Sequence, residues 1–147
     1  MSEADRYRIK DVKVKEVWKD LAAHESSTLV DVRTVAEWSY VGFVDLSQIN
    51  KKSVFIEWQM FPTYEINAGF VTKLDAELKN DGIDNQANLF FMCRSGVRSL
   101  AAAKAMASVG YRHCFNVENG FEGPPDAEQK RGKLSGWKAE KLPWVQK

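Results

Sequence analysis

Cys93 opens the run Cys93-Arg94-Ser95-Gly96-Val97-Arg98-Ser99, which places a thiol beside two guanidinium groups. Ahead of it, Asn88-Leu89-Phe90-Phe91-Met92 reads as a fully buried strand, and an alanine-rich helical pattern follows it. In open α/β sheets, the carboxyl end of a strand facing a helix N-terminus is where ligands bind. A short loop turning into a helix there is expected to aim successive backbone N–H groups at the sulfur. Those amides, the helix dipole, Arg94 and Arg98 together form a cradle for an anion. Each feature favours thiolate over thiol, so Cys93 is expected to ionise without a histidine base. A cysteine ending a strand is often only a small core hydrophobe, and a Gly-containing turn is ordinary loop chemistry. The two arginines beside it favour a nucleophile in an anion site.

The elements that must hold this loop are legible from apolar spacing. Val14, Val17, Trp18, Leu21 and Ala22 recur at helical intervals and predict a first helix. Thr28-Leu29-Val30 is a short buried strand ending at Asp31, and Val54-Phe55-Ile56 is another. Phe70, Val71, Leu74 and Leu78 mark a second helix, stopped by Asn80-Asp81-Gly82. After the Cys93 loop comes a helix with Ala101, Ala102, Ala105, Met106 and Val109 as its inward face and Gly110 as its stop. Cys114-Phe115-Asn116-Val117 is the last strand. Apolar runs alternating with helical patterns predict an α/β fold: a central, mainly parallel sheet with helices on both faces. Residues 1–147 read as one domain, with an irregular tail from about residue 120, carrying Trp137 and Trp144, packed on it.

Composition narrows the function classes. The chain has 147 residues, 44% hydrophobic and 28% charged, enough for one substantial core. Lys and Arg number 21 against 20 Asp and Glu, so a formal charge of +1 supplies no field for nucleic acid. Met1–Asp11 is dense in both signs, unlike a secretory signal, and no apolar run approaches a membrane span. Two Cys are too few for a disulfide framework, and two His without ligand spacing are too few for a convincing metal site, so no metal or cofactor is expected. A reduced, cytoplasmic domain is the expectation. His24 and His113 lack ligand spacing. Lys13, Lys15 and Lys19 alternate with acids and form a solvated helix face. Cys114 reads as a buried inert thiol, with a resolving role for the Cys93 sulfur as its alternative.

Cys-Arg-Ser-Gly-Val-Arg-Ser after an apolar strand resembles the active-site loop of rhodanese-type sulfurtransferases. Leu29-Val30-Asp31-Val32-Arg33 with Glu37-Trp38 and Gly42 is similar to that family's upstream signature. Gly120-Phe121-Glu122-Gly123 and Gly136-Trp137-Lys138 through Leu142-Pro143-Trp144 resemble its later segments, in the same order. The resemblance implies a single-domain rhodanese-like three-layer fold. It implies that Cys93 accepts a sulfane sulfur and becomes a persulfide, whose charge the amides from Arg94 to Ser99 hold. Arg94 and Arg98 match loop positions that attract an anionic donor or order the loop. Asp31, Arg33 and Glu37 match the family's Asp-x-Arg and helix-opening acid, in mainly supporting roles. The implied partners are a small anionic sulfur donor and a thiol or cyanide acceptor, with a protein persulfide as a further donor or acceptor. Neither nucleic acid nor membrane is implied. Where many members carry Gly-His-Ile-Pro-Gly-Ala, this chain reads Gly42-Phe43-Val44-Asp45-Leu46-Ser47. Between Asn50 and Gly69 the chain is longer and more aromatic than a minimal member, and Phe55, Trp58, Phe61 and Tyr64 read as packing rather than a substrate box.

Two rival readings come with the family. Related folds use a Cys-x5-Arg loop on phosphate or arsenate, whereas Cys93 to Arg98 is Cys-x4-Arg, a tighter cradle suited to one sulfur. The other rival is a non-catalytic docking module, whose usual mark is loss of the cysteine that this chain retains.

Overall fold

The computed structural model describes residues 8–147; the first seven residues of the charged amino-terminal stretch lie outside it. Five parallel strands form the main sheet in the order β1-β6-β5-β2-β4: β1 (Lys10–Val12), β2 (Thr28–Asp31), β4 (Val54–Phe55), β5 (Asn88–Met92) and β6 (His113–Val117). The apolar β2 and β5 occupy its interior, as continuous hydrophobic runs do when both faces are covered. Strand alternation then divides the core. Leu29, Phe90 and Met92 point to one face, where they meet Val17 and Leu21 of α1 (Val14–Ala23) and the tail residues Phe121 and Trp137. Val30, Leu89 and Phe91 point to the other, against Phe70, Leu74 and Leu78 of α3 (Phe70–Asn80) and Met106 of α4 (Val97–Ser108). Helices on both faces of a parallel sheet are the architecture that the apolar runs predict.

Several details differ from the sequence expectation. In α4 the buried residues are Ser99, Ala102, Ala103 and Met106, while Val109 is 54% exposed. Alanine gives little apolar contrast, so the predicted inward face, which included Ala101, Ala105 and Val109, was rotated. Trp137 of the tail is part of the core itself. It is fully buried, stacks edge-on against Trp18 and donates its indole N–H to the Pro143 carbonyl at 2.7 Å. A helix α2 (Val35–Tyr40) follows β2, capped by Thr34, whose hydroxyl accepts from the Glu37 N–H. The segment that departs from the family's His-Pro run forms β3 (Phe43–Val44), paired antiparallel with β7 (Trp144–Val145). β7 thus braces the segment that follows α2. Among the described residues, no helix is long and apolar enough to cross a membrane.

Candidate active site

Cys93 sits where β5 ends and the chain turns into α4. It is buried, its Sγ receives a hydrogen bond from the Gly96 N–H at 3.1 Å, and the Ser99 hydroxyl stands 3.2 Å away. Gly96 reaches the sulfur with φ at +118°, a conformation that side-chain-bearing residues rarely adopt. Of the loop amides expected around the sulfur, Gly96 alone bonds it. Among the described residues, the N–H groups of Arg94, Ser95, Val97 and Arg98 have no acceptor in the protein. Helix starts leave such donors free, and here they belong to the loop that carries Cys93.

Behind the sulfur lies a polar chain that the motif does not announce. Asn116, on β6, donates its Nδ2 to the Gly96 carbonyl at 3.1 Å and to Asp11 Oδ1 at 3.0 Å. Its Oδ1 is therefore the acceptor facing the Ser99 hydroxyl, 2.5 Å away. Ser99 has one proton to give. The shorter contact gives that proton to Asn116, which leaves the Ser99 oxygen facing the Cys93 sulfur.

The two arginines of the loop have separate fates. Arg94 is exposed at the cleft, whereas Arg98 forms a bidentate pair with Glu37, at 2.7 and 3.0 Å. The same Glu37 carboxylate accepts from the Thr34 N–H, so one side chain caps α2 and locks the loop to it. Burial works to raise the Glu37 carboxyl, but hydrogen bonds and charge from Arg98, with Arg33 and Thr34, outweigh it and hold it below the ordinary value. A carboxyl held down in the folded state adds stability above its unfolded value and loses it as pH falls. Glu37→Gln is therefore expected to destabilise the fold by about 2 kcal/mol at neutral pH. The gap to wild type should narrow below about pH 4.3, the ordinary glutamate value. Urea unfolding at pH 7 and at pH 4 or lower reads both; a gap that ignores pH would show that the pair carries no such charge coupling.

Asp31 and Arg33 lie fully buried beneath this layer. Arg33 Nε and Nη2 bond Asp31 at 3.0 and 2.7 Å, and Nη2 also donates to the Gly42 carbonyl at 2.8 Å. The guanidinium rests 4.3 Å from the centre of the Phe121 ring. The pair thus ties the end of β2 to the turn before β3, beside the site rather than in it. Gly120 and its successors close the other side: Phe121 N–H donates to the Cys93 carbonyl at 2.9 Å, and Glu122 and Gly123 donate to that of Arg94.

Above the sulfur opens a cleft of about 650 Å³, lined by the loop and also by Gln59, Phe61, Tyr64, Glu122 and Arg131. The aromatic segment divides. Phe55 packs on Trp38 and Phe43, and Trp58 packs on Phe70, whereas Phe61 and Tyr64 face the cleft. The aromatic surplus of residues 54–64 was the available signal for those two. Arg131 sits in a stretch of alternating charges with no such signal. Cys114 is remote from this chemistry on β6, where burial pushes its thiol up to about 12.

Residues 9–147 match the family described as the STR4 middle domain. The crystal structure of Rv0390 from M. tuberculosis is 37% identical, with a TM-score of 0.84 over 96% of this chain and 100% of that one. A polysulfide-sulfur transferase homodimer from Wolinella succinogenes, 20% identical, shares the fold with a TM-score of 0.61 over 95% of this chain and 80% of that one. The chloroplastic rhodanese-like domain-containing protein 4 of Arabidopsis thaliana is 24% identical over 90% of this chain and 25% of that protein. With its parallel sheet, strand-end cysteine loop and match across nearly the whole sequence, the chain belongs to the rhodanese-like family, in the group of the STR4 middle domain.

Proposed function

We propose that the protein is a sulfurtransferase that carries sulfur on Cys93. The thiolate attacks the outer sulfur of a donor such as thiosulfate. A bond forms between the two sulfurs, and the bond to the sulfite sulfur breaks as sulfite leaves with its electron pair. A thiophilic acceptor, a thiol or cyanide, then takes the outer sulfur and returns the thiolate, in covalent two-step catalysis. The observation that carries this reading is the buried Cys93 sulfur in the lining of a cleft, bonded by the Gly96 N–H, on a loop whose N–H groups at Arg94, Ser95, Val97 and Arg98 have no protein acceptor among the described residues. Those donors suit the negative charge of a persulfide. A phosphatase reading fits less well. The arginine that would clamp a phosphoryl group is Arg98, and both its terminal nitrogens are engaged by Glu37.

Incubation with thiosulfate followed by intact mass measurement tests the proposal. One added sulfur on Cys93 is expected, removed by cyanide with release of thiocyanate, alongside negligible turnover of an aryl phosphate. No sulfur on Cys93, or faster consumption of aryl phosphate than of thiosulfate, would overturn it.

A further inference from the structure

The cleft is larger than transfer from a bare inorganic ion requires. Its volume of about 650 Å³ lies within the roughly 300–1,000 Å³ typical of sites for small organic ligands. Two kinds of wall line it. Phe61 and Tyr64 form an aromatic wall, edge-to-face with ring centres 6.5 Å apart, yet 52% and 60% exposed. They stand on a segment that is firmly held. Met60 N–H donates to the Glu65 carbonyl at 2.8 Å, Tyr64 N–H to the Met60 carbonyl at 2.7 Å, and Gln59 bridges to Ile66. The Glu57 carboxylate accepts from the Val35 N–H at 3.0 Å and from the Phe61 N–H at 3.5 Å, fastening the segment to the start of α2. The second wall is charged. Arg98 is cancelled by Glu37, which leaves two guanidinium groups, Arg94 and Arg131, with one carboxylate, Glu122. Among the described residues neither Arg94 nor Arg131 has an ion-pair partner, and Arg131 is steadied by donating Nη1 to the Gly123 carbonyl at 2.8 Å.

We infer that the cleft takes an organic ligand with an apolar body and one carboxylate. Resting on the sulfurtransferase reading, the donor is then an organic persulfide, R–S–SH, with R of that kind. The Cys93 thiolate attacks its outer sulfur, the R–S to SH bond breaks, and Cys93–S–SH forms as R–S⁻ leaves and takes a proton from water. No oxidant or reductant is needed. The aromatic wall holds the apolar part of R, and Arg131 with Arg94 holds its carboxylate.

Alkylation of Cys93 tests recognition without sulfur chemistry. The probes are para-(iodoacetamido)benzoate and iodoacetamide, each rate divided by that reagent's rate with a free thiol. The expected ratio of the corrected rates favours the carboxylated aromatic reagent by about tenfold or more. Tyr64→Ala and Arg131→Gln should each lower that ratio severalfold, with Arg131→Lys restoring part of it; both positions are solvent-accessible, and thermal unfolding checks that the fold is retained. Sulfuration by thiosulfate and by para-carboxybenzyl persulfide, read by intact mass, runs beside it. Selective labelling without sulfuration from either donor would remove the sulfurtransferase reading and leave the ligand class standing. Sulfuration with equal corrected labelling rates, or a ratio unmoved by the variants, would overturn the ligand class and leave the sulfurtransferase.

Discussion

Cys93→Ser is expected to lose sulfur uptake altogether while keeping its fold. A serine hydroxyl is smaller than the thiol, fits in its place, and can keep polar contact with the Gly96 N–H and the Ser99 hydroxyl. Its proton is held far more tightly, however, and oxygen forms no persulfide. Loss of a covalent nucleophile costs on the order of a thousandfold or more in rate. Cys114 cannot substitute. Its thiol is buried, pushed up to about 12, and set beside the Tyr111 carbonyl at 3.5 Å. Intact mass after thiosulfate should show no added sulfur in the variant, and circular dichroism should match wild type. Uptake at the wild-type rate would place the chemistry on another residue and end the proposed mechanism.

What the residues announced and what they hid follow from the range of each interaction. The Cys93 loop was legible because its apolar strand, its glycine and its helix are contiguous. β2 and β5 were legible as continuous apolar runs, and α1 and α3 by the helical spacing of their buried residues. β1 was not: it is three residues long, its two charged residues are exposed, and it pairs only with β6 at the sheet edge. Yet it carries Asp11, which holds Asn116 in the orientation that presents its oxygen to Ser99. The one sequence hint was a polar Asn116 within an otherwise apolar strand. Glu37 and Arg98 lie 61 positions apart, so their spacing showed nothing of a pair. The resemblance assigned them separate duties, a helix-opening acid and a loop cation. Their union removes Arg98 from the set of free cations and leaves Arg94, with Arg131 from the tail, to face a ligand.

The tail's hold on the loop gives the second large effect. Gly120→Ala is expected to cost about 3 kcal/mol or more of stability and most of the sulfur uptake. Gly120 has φ +56°, and a Cβ there would fall on the Cys93 carbonyl oxygen and within 2.8 Å of the Arg94 carbonyl carbon and oxygen. All three are backbone atoms, so no side chain can rotate away. Either the tail retreats, losing the Phe121 bond to Cys93 and the Glu122 and Gly123 bonds to Arg94, or the loop shifts. A loop displaced by even 1 Å misdirects the Gly96 amide on the sulfur and costs on the order of a hundredfold in rate. Gly82 supplies the control. It too has positive φ, +73°, but a Cβ there meets nothing within 4 Å. Gly82→Ala should therefore cost only the left-handed backbone penalty, about 1 kcal/mol, and leave uptake intact. Denaturant unfolding of both variants, with sulfuration measured where each is fully folded, separates backbone strain from contact. Equal costs and equal uptake in the two would mean that the tail does not press on the Cys93 loop and does not set its shape.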